Sequence, residues 1–110
     1  MIFIVVKFTA KPEYADTFPE KVRAFTEATR AEPGNLWFEW SKSLEEEGVY
    51  VLVEAFRDGA AGDHVNSQHF KDATDPEHGL PQYLAKTPDI VSQSLEGVEG
   101  WSKMGEMQID

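Results

Sequence analysis

The chain opens on IFIVVKF (residues 2–8), apolar everywhere but Lys7 and rich in β-branched and aromatic side chains, the pattern of a strand buried on both faces. A period of two sends Ile2, Ile4, Val6 and Phe8 one way and Phe3, Val5 and Lys7 the other. The period then changes. Phe18, Val22, Phe25 and Thr29 recur at steps of three and four, with Lys21, Arg23, Glu27 and Arg30 elsewhere around the barrel, which predicts an amphipathic helix. Asp16 or Thr17 can cap it, so that Pro19 falls in the first turn where its missing N–H costs nothing, and EPG (32–34) ends it. NLWFEWSK (35–42) and VYVLVEAF (49–56) return to period two around a turn containing EEEG, which predicts an antiparallel hairpin. Leu36, Phe38 and Trp40 share one face, opposite Trp37 and Glu39; Tyr50, Leu52, Glu54 and Phe56 share another, opposite Val49, Val51 and Val53.

Asp58 is the expected N-cap of a second helical segment over about residues 59–73, weakened by Gly59 and Gly62. DPEHGLPQ (75–82) breaks it, PQYLAKTP (81–88) allows a further turn, DIVSQSLEGV (89–98) reads as a last strand, and residues 100–110 form a tail or an added strand. The order is β-α-β-β-α-β, an α+β, ferredoxin-like unit with an antiparallel sheet in a single domain over residues 1–110. Aromatic residues on both sides of the second strand imply that both sheet faces are covered. One helix layer covers only one of them, so a second copy packed through the sheet face, a homodimer, is expected, with Trp37 facing the partner.

Composition sharpens this picture mainly by exclusion. Hydrophobic residues at 41% and aromatics at 12% fit a packed globular domain. A formal charge of −10, from 20 acidic and 10 basic residues, argues against a nucleic-acid partner, which needs a basic stripe. The absence of cysteine removes disulfides, zinc–thiolate sites and thiol catalysis. The apolar stretch Met1–Phe8 is too short for a signal peptide or a membrane span, so the expectation is a cytoplasmic protein without a membrane partner.

Candidate chemistry concentrates in HVNSQHFK (64–71), which holds two of the three histidines. Histidine accepts protons near neutrality, its unperturbed pKa being about 6.5. On an unbroken helix His64 and His69 would point about 140° apart, although a kink at Asn66–Ser67 would bring them closer. The same spacing of five lacks the i, i+4 geometry of paired metal-binding imidazoles, and His78 follows a proline-containing break, so no metal is expected. Glu54 shares a face with Leu52 and Phe56, where a carboxylate is costly unless paired; it either orients a histidine or bonds a neighbouring group. Phe38, Trp40, Tyr50, Phe56 and Tyr83 can line a slot for a flat ring or serve as core. Asn66 and Ser67 can donate to bound oxygen or break the helix. No phosphate loop or dinucleotide fingerprint supports a bound nucleotide or flavin.

The element order, ATRAEPG closing the first helix, the aromatic strand after it, VLVEAF and HVNSQHFK together resemble the antibiotic biosynthesis monooxygenase domain. Its most specific part is ordered: Glu54 late in the third strand, then His64, Ser67, His69 and Phe70. The resemblance implies a dimeric α/β barrel, with a pocket between sheet and helices in each unit and His69 at that pocket. It implies a monooxygenase that needs no cofactor and oxidises a small phenol or hydroquinone with O2. His69 would act as proton acceptor or anchor, supported by His64 and Glu54, with Phe70 among the pocket residues. The haem-degrading branch would call for an Asn late in the first strand and a His one turn beyond Phe70–Lys71, where this chain has Lys7 and Thr74. The family also contains members of other function, which leaves a non-catalytic binding dimer, or an isomerase using the same histidine, as the alternatives.

Overall fold

The computed structural model describes residues 1–109. Four strands, β1 (Ile2–Thr9), β2 (Asn35–Lys42), β3 (Val49–Phe56) and β4 (Asp89–Ser94), form one antiparallel sheet in the order β2-β3-β1-β4. The α-helices among the described residues are four short pieces: α1 (Phe18–Lys21) and α2 (Arg23–Arg30) between β1 and β2, then α3 (Ala61–Val65) and α4 (Gln68–Thr74) between β3 and β4. This is the ferredoxin-like α+β arrangement that the element order predicts.

Register fixes which side chains meet. Ile4 pairs with Glu54, Val6 with Leu52 and Phe8 with Tyr50 across β1 and β3, while Phe38 pairs with Glu54 and Trp40 with Leu52 across β2 and β3. Residues directly opposite share a face, so all of these lie beneath the helices, with Phe18, Phe38, Phe56 and Leu52 fully enclosed. Between Asn35 and Trp37 the register slips, which leaves Leu36 unpaired at a bulge rather than in line with Phe38 and Trp40.

The helix layer is tied to the sheet by directed bonds. Arg30 donates from Nε and Nη2 to the carbonyl of Phe38 (3.0 and 2.8 Å), and Trp40 Nε1 donates to Thr26 Oγ1 at 2.9 Å. These anchor the end of α2 over β2. Gly34 then lets the chain turn tightly, because a Cβ there would overlap that of Ala60 at the start of α3.

Three local expectations are replaced. Thr17 does stand at the N-cap of α1 with Pro19 in the first turn, but it makes no side-chain capping bond, and the first helix is interrupted at Val22. Asp58 does not cap α3, whose N-cap is Ala60; its carboxylate lies 2.9 Å from the amino group of Met1, and that full charge outcompetes the partial charges of a helix end. The last strand stops at Ser94, and the tail forms no strand among the described residues.

The opposite sheet face carries no helix. Phe3, Val5, Trp37, Val51 and Val53 stay half-buried there and Val91 is exposed, with Trp101 of the tail stacked on Trp37 at a ring separation of 5.1 Å.

Candidate active site

The stretch HVNSQHFK is two helices rather than one. Ser67 makes the break: its backbone is extended, its Oγ donates to the His64 carbonyl at 2.6 Å, and the same Oγ accepts from Phe70 N–H at 3.2 Å. One hydroxyl thereby closes α3 and caps α4. Asn66 ends α3 and faces solvent. Because the helix direction changes here, the spacing of five does not separate the two imidazoles.

Both histidines meet a residue that was read from the sequence only as part of a helix terminator. Glu32, just beyond α2, places Oε2 at 2.7 Å from His64 Nδ1 and 2.6 Å from His69 Nε2. Neutral rings that donate from these atoms satisfy one oxygen twice and fix both tautomers. The other nitrogen of His64, Nε2, lies 3.9 Å from Glu54 Oε1. The order is therefore His69, Glu32, His64, Glu54. The three ligand atoms of Glu32, His64 and His69 lie within 4.8 Å of one another. The spacing argument against a metal consequently does not hold in the folded chain.

The surroundings of the two rings differ. His64 is 4% exposed and packs among Phe56 (ring centroids 4.7 Å apart), Phe70 (5.0 Å), Phe25 (5.7 Å) and Phe38 (6.3 Å). It lines an apolar cavity of about 320 Å³ between sheet and helices, walled by Ile4, Val6, Phe8, Leu52, Phe70 and Leu80, with Val65 and the exposed Ile90 also contributing. Among the described residues, Glu54 and His64 are the only titratable groups on that wall. Burial, and secondarily the nearby Glu32 carboxylate, raises Glu54 from 4.5 to about 7. His69 keeps a quarter of its side chain exposed and lines a separate outer groove with Lys21, Asp72, His78 and Tyr83.

The other residues singled out from the sequence fall in several places. Phe70 lines the cavity. Phe38 and Phe56 stand behind the His64 ring as core, and neither lines the cavity. Trp40 and Tyr50 border another cleft with Phe18 and Val22, and the Tyr50 hydroxyl donates to the carbonyl of Ala15. Tyr83 packs edge-on against Tyr14 beneath the Lys21 ammonium. His78 is exposed beside Asp75, at 3.2 Å. Sequence reasoning passed over Glu32. ATRAEPG contains it, but nothing in that segment alone distinguishes a helix-ending glutamate from one that holds two histidines.

The family profile described as "Antibiotic biosynthesis monooxygenase" matches residues 1–76, a span that includes Glu32, Glu54, His64 and His69. The chain belongs to the antibiotic biosynthesis monooxygenase family. It is 26% identical over 99 residues to "Putative monooxygenase YcnE" of Bacillus subtilis (strain 168), an alignment covering 89% of this chain and 94% of that protein. Among solved structures it is similar to a "putative antibiotic biosynthesis monooxygenase" from Caulobacter crescentus CB15, with 28% identity and a TM-score of 0.74 over 89% of this chain and 90% of that one. A conserved protein of Methanosarcina mazei Go1 is comparably similar, with 27% identity and a TM-score of 0.74 over 84% and 89%. In this family member the helix break, the terminator of α2 and the end of β3 converge on one carboxylate–histidine cluster beside an apolar cavity.

Proposed function

We propose that this protein is a monooxygenase working without a cofactor, that it oxidises a small phenol- or hydroquinone-type ring with O2, and that His64 is the proton acceptor. The observation that carries the reading is the position of His64 on the cavity wall, with its Nδ1 side held by Glu32 and its Nε2 side turned toward Glu54.

Ground-state O2 is a triplet and reacts poorly with closed-shell molecules. A phenolate is electron-rich enough to pass it one electron directly, so the protein has to remove a proton, hold the ring dry and stabilise the anion. In this reading His64 Nε2 takes the hydroxyl proton of the bound phenol, and Glu32 stabilises the imidazolium that forms, as a carboxylate does behind any catalytic histidine. The phenolate gives an electron to O2, and the radical pair joins at a ring carbon that bears hydrogen, opposite the oxygen in a phenol and beside it in a hydroquinone, giving a peroxide that takes the proton held by His64. The resulting hydroperoxide loses its outer oxygen as water and its ring C–H proton, leaving a quinone. One oxygen atom enters the ring and the other leaves as water. Glu54, raised to about 7, holds a proton near neutral pH that it can give to the departing oxygen. The apolar wall excludes water from the radical pair and grips a flat ring.

This assignment moves the acceptor from His69, the position that the resemblance favours, to His64, because His69 stands on the outer groove. We also propose that the helix-free sheet face, with Phe3, Val5, Trp37, Val51 and Val53, is covered by a second copy of the chain. The test is oxygen-electrode measurement of chelator-treated protein with a panel of phenols, anthrols and hydroquinones, beside His64→Ala and His69→Ala. Uptake above autoxidation that disappears in His64→Ala is the expected result. No uptake with any substrate would sink the oxygenase reading and turn attention to binding or isomerisation.

A further inference from the structure

We propose that Glu32, His64 and His69 form a binding site for one divalent transition-metal ion, of which Zn²⁺ is the reference case. The inference does not depend on the oxygenase reading.

The donor set is two imidazoles and one carboxylate, from the turn after α2, from α3 and from α4. Three such protein ligands suit Zn²⁺ with one coordination position left open, and two histidines with one carboxylate also suit Fe²⁺. Among the described residues, Glu32 is paired only with His64 and His69, and Glu54 only with His64.

A second observation points the same way. Metal-bound histidines usually donate their other ring N–H to a carboxylate, which fixes the ring and raises its basicity. When His64 binds through Nδ1, its Nε2 carries the proton, and Glu54 is the carboxylate on that side at 3.9 Å. A slight approach of the two makes the bond. This also accounts for a buried carboxylate beneath a histidine in an apolar wall.

The adjustments required are small. Tetrahedral donors at about 2.0–2.1 Å from zinc stand about 3.3 Å from each other. The present separations of 2.6 and 2.7 Å must therefore open by roughly two-thirds of an ångström, while the two imidazole nitrogens, within 4.8 Å of each other, settle at the same spacing. His69 can supply the movement, since it sits on its own helix with a quarter of its side chain in the open groove. Neutral imidazoles need only exchange tautomers, with no net loss of protons. A bound ion also leaves His64 Nε2 protonated, so it cannot accept a substrate proton. An ion at this site would therefore inhibit the chemistry proposed for His64.

The test is titration of the chelator-stripped full-length chain with Co²⁺, read by its visible absorption, and with Zn²⁺ by calorimetry. His69→Ala and Glu32→Gln are the ligand variants, Glu54→Gln the outer variant and His78→Ala the surface control. The expected result is one ion per chain, with intense visible bands of four- or five-coordinate cobalt. Affinity should fall by roughly 100-fold or more in the ligand variants, fall by about 10-fold in Glu54→Gln and stay unchanged in His78→Ala. Absence of saturable binding at millimolar ion overturns the proposal. So does undiminished binding by His69→Ala that retains the wild-type circular dichroism, or a loss confined to His78→Ala. If Glu32→Gln does not fold, His69→Ala, with a quarter of that side chain in solvent, decides. Oxygen uptake measured on the same stripped samples keeps the two readings apart. Cation binding with no uptake sinks only the oxygenase, and uptake with no cation binding sinks only the metal site.

Discussion

His64 and His69 hold the same carboxylate oxygen at nearly the same distance, 2.7 and 2.6 Å, yet occupy opposite settings. One ring is packed among four phenylalanines and lines the inner cavity, while the other borders an outer groove with Lys21, Asp72 and His78. Hydrogen bonding alone would make them equivalent. Access separates them: His64 lines the inner cavity, and His69 lies open to the outer groove. The comparison teaches that a histidine's chemistry is set by what stands on the far side of it, more than by the partner it shares.

The largest effect that can break the comparison is on turnover. His64→Ala should lower oxygen uptake by about 10²–10⁴-fold, the usual contribution of a positioned base. His69→Ala should lower it by roughly tenfold, because it acts on the acceptor through Glu32. Initial rates with the best substrate decide, and equal losses would erase the distinction between inner and outer ring.

Next in size is a pH effect on stability confined to the inner side. The folded carboxyl of Glu54 titrates near 7 against an ordinary 4.5. The folded state therefore holds this proton more tightly than the unfolded chain does. The associated stability is fully present below about pH 4.5 and is lost as pH rises through 7, by up to about 3 kcal/mol. In urea unfolding, Glu54→Gln should gain on the wild type by an amount approaching that value between pH 4.5 and pH 8. A constant gap across the range would mean that Glu54 is not held up by burial.

Ser67→Ala removes the hydroxyl that closes one helix and caps the next. A loss of about 1 kcal/mol is expected from the cap. Because the break aims His64, activity should fall further than that loss explains, read as kcat measured well below the melting temperature. The smallest effect belongs to the outer groove. His78→Ala, at an exposed residue, should change stability by no more than about 0.5 kcal/mol, and it provides the baseline for His69→Ala.

Much of this was legible from the chain. Period-two runs gave the strands and which residues share a face, as with Tyr50, Leu52, Glu54 and Phe56, because alternation in a strand is fixed by backbone geometry. Element order gave the topology. The site was legible only by halves. HVNSQHFK drew attention as a cluster, and the helix does break at Asn66–Ser67. Which ring faces inward depends on the angle of that break, which no local pattern encodes. Glu32 lies more than thirty residues from either histidine, and packing of the α2 terminator against α3, through Gly34 and Ala60, brings it there. Trp40, Tyr50 and Tyr83 show the converse. They are aromatic and near the helices, but the helix layer divides its surface into several clefts, and these three line clefts other than the cavity. The Asp58 expectation failed for a related reason, since the amino terminus competes only once the sheet has formed.

The stacking of Trp101 on Trp37 makes the bare sheet face optically addressable. Only three tryptophans are present, and the third, Trp40, lies on the helix side among Phe8, Phe18 and Phe38. Two indoles with ring centres 5.1 Å apart couple their strong far-ultraviolet transitions, giving a paired circular-dichroism band that one isolated ring cannot produce. Lifting the tail from the sheet, or replacing it with another surface, would remove that couplet and leave the backbone contribution of the sheet and helices in place. The chain therefore carries its own spectroscopic gauge of what covers this face, readable without a label and across dilution.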